Sequence, residues 1–297
     1  MDADKVLLKK DLKEKRELVN IEVDRFLPRK DEYPKQIHKA MRHTLFAGGK
    51  RLRPYLLIHT YLLFDNDISK TLLVAGAIEM LHSYTLIHDD LPELDNDNYR
   101  RGKKSCHIVY GSDIALLAGD ALLVNAFEAL TSLELDEKIV ITLIEELAKE
   151  SGDMGLIAGQ MVDVLSEGKK INKSTLEYIH KNKTARLINV PIRFGCYLAN
   201  APKEDIKRLE KFGTKLGLAF QIVDDILDVE GDQQTLGKSV GKDKEANKAT
   251  FPAVYGLEES KKMAEKLIDE AKALLKPYGD KAEVLLMLCD FVLTRKF

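Results

Sequence analysis

Apolar residues recur at helical spacing along nearly all of this chain, while strand-type alternation bounded by tight-turn dipeptides is almost missing. Stripes of that period can be buried only against other helices, so the expected fold is all-α, a single large helical bundle around a central cavity. The breaks predict the elements. A first helix runs to Phe26, stopped by Pro28; a second from about Lys35 ends at Gly48-Gly49; a third spans Arg51 to Phe64, with Pro54 in its first turn. Ser69 to Asp90 is a long apolar helix, Ser112-Asp113 opens another through Leu133, and Asp136 to Glu150 follows. Ser174-Thr175-Leu176-Glu177 has the form of a capping box, and further helices cover about 176–198, 203–229, 257–275 and 280–294. Linkers are short and composition does not shift, so residues 1–297 read as one domain.

Two acidic runs end apolar helices: Asp89 to Asp95 (D-D-L-P-E-L-D) and Asp224 to Asp228 (D-D-I-L-D). Carboxylate pairs beside a packed helix face are costly unless a cation or hydrogen bonds compensate them. Asp224 and Asp228, four apart, share one helix face with Asp225 beside them. Asp89 and Asp90 stand at a helix end, because Pro92 disfavours helix at Leu91, and Asp95 in the following loop can fold back toward them. Hard oxygen ligands in two clusters suit Mg²⁺, which with few protein ligands usually bridges to a substrate phosphate.

Cations follow each run. Arg100 and Arg101 come directly after the first, facing opposite ways in an extended segment, and Lys238, Lys242, Lys244 and Lys248 come after the second. Lys50, Arg51 and Arg53 stand at a glycine turn opening a helix, where backbone amides favour an anion. Lys183-Thr184 falls inside a helical run, and His82 and His88 point in different directions from one helix. Taken singly these are surface residues; together with two carboxylate clusters they suit a cavity for two anionic substrates. With 45% apolar and 32% charged residues the chain is an ordinary globular protein, and a net charge of −2 argues against a dedicated nucleic-acid binder. Cys106, Cys196 and Cys289, without any C-x-x-C, read as reduced thiols of a cytoplasmic protein. Residues 1–27 form an amphipathic helix rather than a signal peptide, and no apolar stretch reads as a membrane span.

In G-G-K-R-L-R-P (48–54), L-I-H-D-D-L-P-E-L-D-N-D-N-Y-R-R-G (86–102), L-A-G-D-A-L-L (117–123), G-Q-M-V-D (159–163), K-T (183–184), A-F-Q-I-V-D-D-I-L-D (219–228) and L-G-K (236–238), the chain resembles the trans-polyprenyl diphosphate synthases. Within them it is most similar to the bacterial-type farnesyl diphosphate synthases, over nearly its whole length. Asn98 and Lys104 depart from the common pattern of Asp and Pro. The resemblance implies a homodimer that condenses isopentenyl diphosphate with an allylic diphosphate, using three Mg²⁺ per active site, with Mn²⁺ as an alternative. It implies that Asp89, Asp90, Asp95 and Asp224 hold the metals, with Asp228 and Asp163 as outer supports. Arg100, Lys183 and Lys238 would neutralise the allylic diphosphate, Lys248 would be a further substrate-binding residue, and Lys50, Arg53, Arg101 and His82 would hold isopentenyl diphosphate. Thr184 and Gln221 would offer dipoles to the developing cation, Phe220 an aromatic wall, and Arg295-Lys296 a closing tail.

Chain length follows from helix geometry. Five residues before Asp89, about 7.5 Å back along the helix, stands Tyr84, whose ring would block elongation at fifteen carbons; the smaller Thr85 beside it leaves a leak toward twenty. Rival readings are available. Glu79-x-x-His82 and Glu177-x-x-His180 match the pattern of di-iron helical bundles, but leave both aspartate runs and Arg100-Arg101 unexplained. A class I terpene cyclase shares the first acidic run and normally differs in the second, a non-catalytic synthase subunit usually lacks aspartates kept here, and a purely structural helical protein has no need of either run.

Overall fold

The computed structural model describes residues 2–169, 171–230 and 250–294. Lys238, Lys242, Lys244, Lys248 and the terminal Arg295-Lys296 lie outside them. The described helices are α1 (Asp2–Phe26), α2 (Lys35–Leu45), α3 (Leu52–Tyr61), α4 (Ser69–Asp89), α5 (Cys106–Tyr110), α6 (Ser112–Thr131) and α7 (Glu137–Ser151). They continue as α8 (Leu156–Ser166), α9 (Lys173–Ile179), α10 (Arg186–Leu198), α11 (Lys203–Glu230), α12 (Phe251–Tyr255), α13 (Leu257–Leu275) and α14 (Glu283–Thr294). A single π-helical turn, His180–Ala185, joins α9 to α10, and a 3₁₀ turn, Lys276–Ala282, leads into α14. The only described strands, Tyr99–Arg100 and Lys103–Lys104, make a two-residue hairpin.

Helix α10 organises the packing, touching α3, α4, α7 and α11. One apolar cluster joins α4 to α6 and α2, and a second joins α3 and α10 to α11, α13 and α14. Along the last turns of α4 the residues left partly exposed are His82, Thr85, Leu86, His88 and Asp89, so His82, Thr85 and Asp89 form one open stripe at helical spacing. On α11 the partly exposed Gln221 and Asp224 share a stripe with Asp228, as their spacing predicts.

Several expectations are corrected. α2 ends at Leu45, before the double glycine, and Gly48 and Gly49 take positive φ in a loop instead. Gly49 suits that loop because its φ of 94° is one that a residue with a side chain rarely adopts, and its bare Cα leaves room for the Arg101 guanidinium. The cap of α9 is Asn172, whose side chain accepts from Thr175 N; Glu177 of the expected capping box instead accepts from the Tyr255 hydroxyl at 2.8 Å. α6 starts after Gly111 without a side-chain cap. At 20 residues α6 is also long and apolar enough to cross a bilayer by length and composition, contrary to the expectation from sequence. It packs as a core helix against α4, α2, α5 and α7.

Candidate active site

The first acidic run folds back as its proline predicts: Asp95 N donates to the Asp89 carbonyl at 2.8 Å, bringing both side chains to the end of α4. Burial pushes the Asp89 carboxyl up to about 6, with Asp95 and Asp90 adding to the rise and Lys183 and Arg100 opposing it. Asp90 is turned away from that group. Its buried carboxylate takes Arg100 Nε at 2.8 Å and Nη2 at 2.5 Å, so it serves as the anchor of Arg100 rather than as an open ligand. Arg100 also holds Asp97 at 3.0 Å.

Lys183 stands at the centre. Burial would depress its ammonium, but Asp89, Asp163 and Asp95 outweigh it and hold the pKa above the usual value. Its Nζ donates to Asp163 at 2.6 Å, so Asp163 is a lysine partner in this structure. The π-turn aims it there: the extra residue per turn rotates Lys183 and Thr184 relative to a regular helix. Thr184 donates to Gln221 of α11 at 2.8 Å, one turn before Asp224. Lys183-Thr184 therefore bridges the two acidic runs. Phe220 is partly exposed next to Gln221.

A second cluster of charged groups, rich in guanidiniums, surrounds His82. Arg51 and Arg101 both reach the buried Glu79 of α4, at 2.6 and 3.2 Å, and Arg101 also donates to Gly48 O at 3.1 Å. Arg100 and Arg101 do face opposite ways, but not through extended backbone: Arg100 ends the strand, whereas Arg101 stands in the hairpin turn with φ 54°, and the turn reverses its direction. Arg53, lowered to about 10 by burial above all, is also acted on by Glu79, Arg101 and Asp224. Burial, then the guanidiniums of Arg53, Arg101, Arg51 and Arg100, hold the His82 imidazole neutral. Arg53 Nη1 lies 3.1 Å from His82 Nε2, and a guanidinium only donates, so His82 carries its proton on Nδ1. That Nδ1 and Arg53 Nε are buried without a partner among the described residues. Two guanidiniums paired with Glu79, Arg53 close by and two orphaned donors make a cationic cluster whose chemistry suits a polyanion. Lys50 lies with Nζ 4.9 Å from the Phe291 ring centroid.

Asp89, Asp95 and Asp224 are partly exposed hard oxygen donors, and among the described residues no three His, Cys, Asp or Glu side chains converge as a closed metal cage. Such a donor set fits Mg²⁺, which takes one or two carboxylates and completes its shell with water and phosphate oxygens. It does not fit di-iron ligation, since Glu79 is committed to arginines and His180 is stacked on Phe251 at 5.0 Å. The role of Glu79 as an arginine anchor and the buried bonds of Asp225 were not predicted, and no local signal in the sequence marks either.

Tyr84 is 7% exposed and meets His88 edge-on at 5.1 Å. The His88 Nε2 lies 3.1 Å from Leu116 O, so both rings face α6. Thr85 lies in the open stripe, its hydroxyl bonded to His82 O at 2.8 Å.

Residues 34–284 match the profile of the family described as polyprenyl synthetase. A geranylgeranyl diphosphate synthase of Cyanophora paradoxa is 42% identical over 287 residues, covering 96% of this chain and 95% of the relative. A farnesyl diphosphate synthase of Geobacillus stearothermophilus is 42% identical over 288 residues, covering 96% of each. Among solved structures, an FPP/GFPP synthase from Zymomonas mobilis is similar with a TM-score of 0.88 at 32% identity, over 97% of this chain and 99% of that one.

Proposed function

The chain belongs to the polyprenyl synthetase family, among the short-chain trans-prenyl diphosphate synthases, and we propose that it makes farnesyl diphosphate. The substrates are isopentenyl diphosphate and, in turn, dimethylallyl and geranyl diphosphate. The observation that carries this reading is the pair of charged groupings along one open stripe of α4: carboxylates with Lys183 at Asp89, and orphaned Arg53 and His82 donors about two turns earlier at His82.

Asp89, Asp95 and Asp224, with Asp228 behind Asp224, would hold Mg²⁺, which when bound would supply the positive charge that makes the allylic diphosphate a leaving group. Lys183 and Arg100 add fixed cations beside the same oxygens, kept in place by Asp163 and Asp90. The allylic C–O bond breaks with its electron pair on the diphosphate. Lys50, Arg53, Arg101 and neutral His82 hold the isopentenyl diphosphate so that its double bond faces the allylic carbon. The new C–C bond forms there, and the proton lost from the adjacent carbon passes to the departing diphosphate. Thr184, its proton held by Gln221 Oε1, turns its oxygen dipole toward the transient positive charge, and Phe220 lines the wall.

The growing tail runs back along α4 from Asp89, past Thr85, and the Tyr84 ring narrows the space toward α6. A twenty-carbon product is the second reading, favoured by the small Thr85 on the open stripe. The partner is a second copy of the chain: Ile108, Val109, Leu117 and Val124 present an exposed apolar face on α5 and α6, with Val124 64% exposed. Buried, unbridged Cys106, Cys196 and Cys289 support a cytoplasmic setting. The test is incubation with Mg²⁺, isopentenyl diphosphate and each allylic primer, with products read by mass spectrometry. A dominant fifteen-carbon diphosphate supports the proposal; a longer one removes the Tyr84 floor; hydrocarbon with free diphosphate points to a cyclase.

A further inference from the structure

Asp225 lies in the second acidic run but is buried, and it makes contacts unlike those of an open metal ligand. Its Oδ1 accepts from Gln221 Nε2 at 2.9 Å and its Oδ2 from the backbone N–H of Phe251 at 2.9 Å. His180 Nε2 stands 3.4 Å from the same Oδ2. Gln221 Oε1 in turn accepts the Thr184 hydroxyl at 2.8 Å.

This chain of bonds has a direction. An ionised carboxylate only accepts, whereas an amide has one donating end and one accepting end. Asp225 therefore makes Gln221 present its NH₂ inward and its oxygen to Thr184. Thr184 must then donate its proton to Gln221, and the lone pairs of its oxygen are what remain for the cavity. A reversed amide would make Thr184 the acceptor and turn its O–H outward, placing a positive dipole end where allylic positive charge develops.

We infer that Asp225 is a positioning residue: it fixes the amide of Gln221, and through it the polarity of the Thr184 hydroxyl, so that the negative end of that dipole faces the reacting allylic carbon. The inference rests on the condensation reading above and assigns Asp225 a task other than metal ligation.

Asp225→Asn tests it, because the variant keeps the shape and reverses the polarity. The new amide's oxygen takes the Phe251 N–H, its NH₂ faces Gln221, and Gln221 turns its oxygen away from Thr184. Expected is a fall in kcat of about a hundredfold, the scale of losing one preorganised dipole, with KM for both diphosphates and the Mg²⁺ concentration dependence within about twofold of the unaltered protein. In a Thr184→Val background the same change should cost less than about twofold, since the group it acts through is gone. Adding Gln221→Glu to Asp225→Asn supplies a carboxylate that accepts both from the new amide's NH₂ and from the Thr184 hydroxyl. That restores the original polarity and should recover at least about tenfold in kcat.

Additive losses in the Thr184→Val background, a shifted Mg²⁺ dependence or no recovery in the double variant would each overturn the inference. Thermal unfolding accompanies every variant. If Asp225→Asn alone does not fold, Gln221→Met, which breaks the couple without touching Asp225, must lower kcat by the same factor, and an unchanged kcat refutes the proposal. Absence of any condensation by the unaltered chain refutes the underlying reading instead, so the two failures are distinct.

Discussion

Replacing Gly159 by alanine should separate stability from catalysis. α8 packs on the π-turn through this glycine: a Cβ there would meet Asn182 C and Lys183 Cα at 2.9 Å, with Lys183 N closer still. These are backbone atoms and cannot rotate aside. Ordinary contact begins near 3.4 Å, so the π-turn must retreat by about 1 Å at Lys183 N. Overpacking of this kind costs about 1–3 kcal/mol. Alanine in a helix interior returns about 1 kcal/mol relative to glycine, so net stability should change by no more than about 2 kcal/mol. The retreat carries Lys183 away from Asp163 and Thr184 away from Gln221, bonds of 2.6 and 2.8 Å with little slack. A misplacement of about 1 Å can cost about a hundredfold in rate, so kcat should fall about ten- to a hundredfold. Steady-state kinetics beside chemical denaturation provide the assay. A kcat unchanged from that of the unaltered protein would show that the π-turn geometry does not govern the chemistry.

Three other outcomes follow from the same geometry. Tyr84→Ala should shift the product toward twenty carbons or more, read by mass spectrometry; an unchanged distribution removes Tyr84 as the floor. Glu79→Leu leaves Arg51 and Arg101 without their buried counter-charge and should cost about 3–5 kcal/mol in denaturation experiments, with inorganic diphosphate restoring more stability to the variant than to the unaltered protein. Asp89→Asn should abolish condensation while stabilising the metal-free protein above about pH 6. The sign follows from a folded pKa of about 6 against 3.8: the penalty is absent below the lower value, grows between the two, and reaches about 3 kcal/mol above the higher. Metal-free thermal unfolding across about pH 4 to 7 should lose that slope in the variant; an equal slope would place its origin elsewhere.

Where local pattern suffices, the sequence is legible. The residues of α13 follow from its period, Pro54 does fall in the first turn of α3, and Asp224 and Asp228 share a stripe because i and i+4 always do. Extended backbone predicts the Arg100-Arg101 split, yet it comes from a hairpin turn in which Arg101 takes a positive φ. What escaped is what tertiary packing decides. Glu79 reads as half of a Glu-x-x-His pattern until Arg51 and Arg101 reach it from two loops. A π-turn has the composition of a helix, so nothing between Ile179 and Arg186 announces that Lys183 swings onto Asp163. Asp90 looks equivalent to Asp89 on paper, yet Arg100 claims it from ten residues away. Asp225 is held in part by Phe251, 26 positions on, a separation that no local pattern spans.

The most direct test of the two-seat account is a crystal structure of the protein with Mg²⁺, isopentenyl diphosphate and a non-ionising thio analogue of geranyl diphosphate. The account predicts the allylic diphosphate between Asp89, Asp95, Asp224 and Lys183, and the isopentenyl diphosphate against Arg53, Arg101, Lys50 and His82 Nδ1. Diphosphates in exchanged seats, or a His82 side with no anion at saturating ligand, would contradict it.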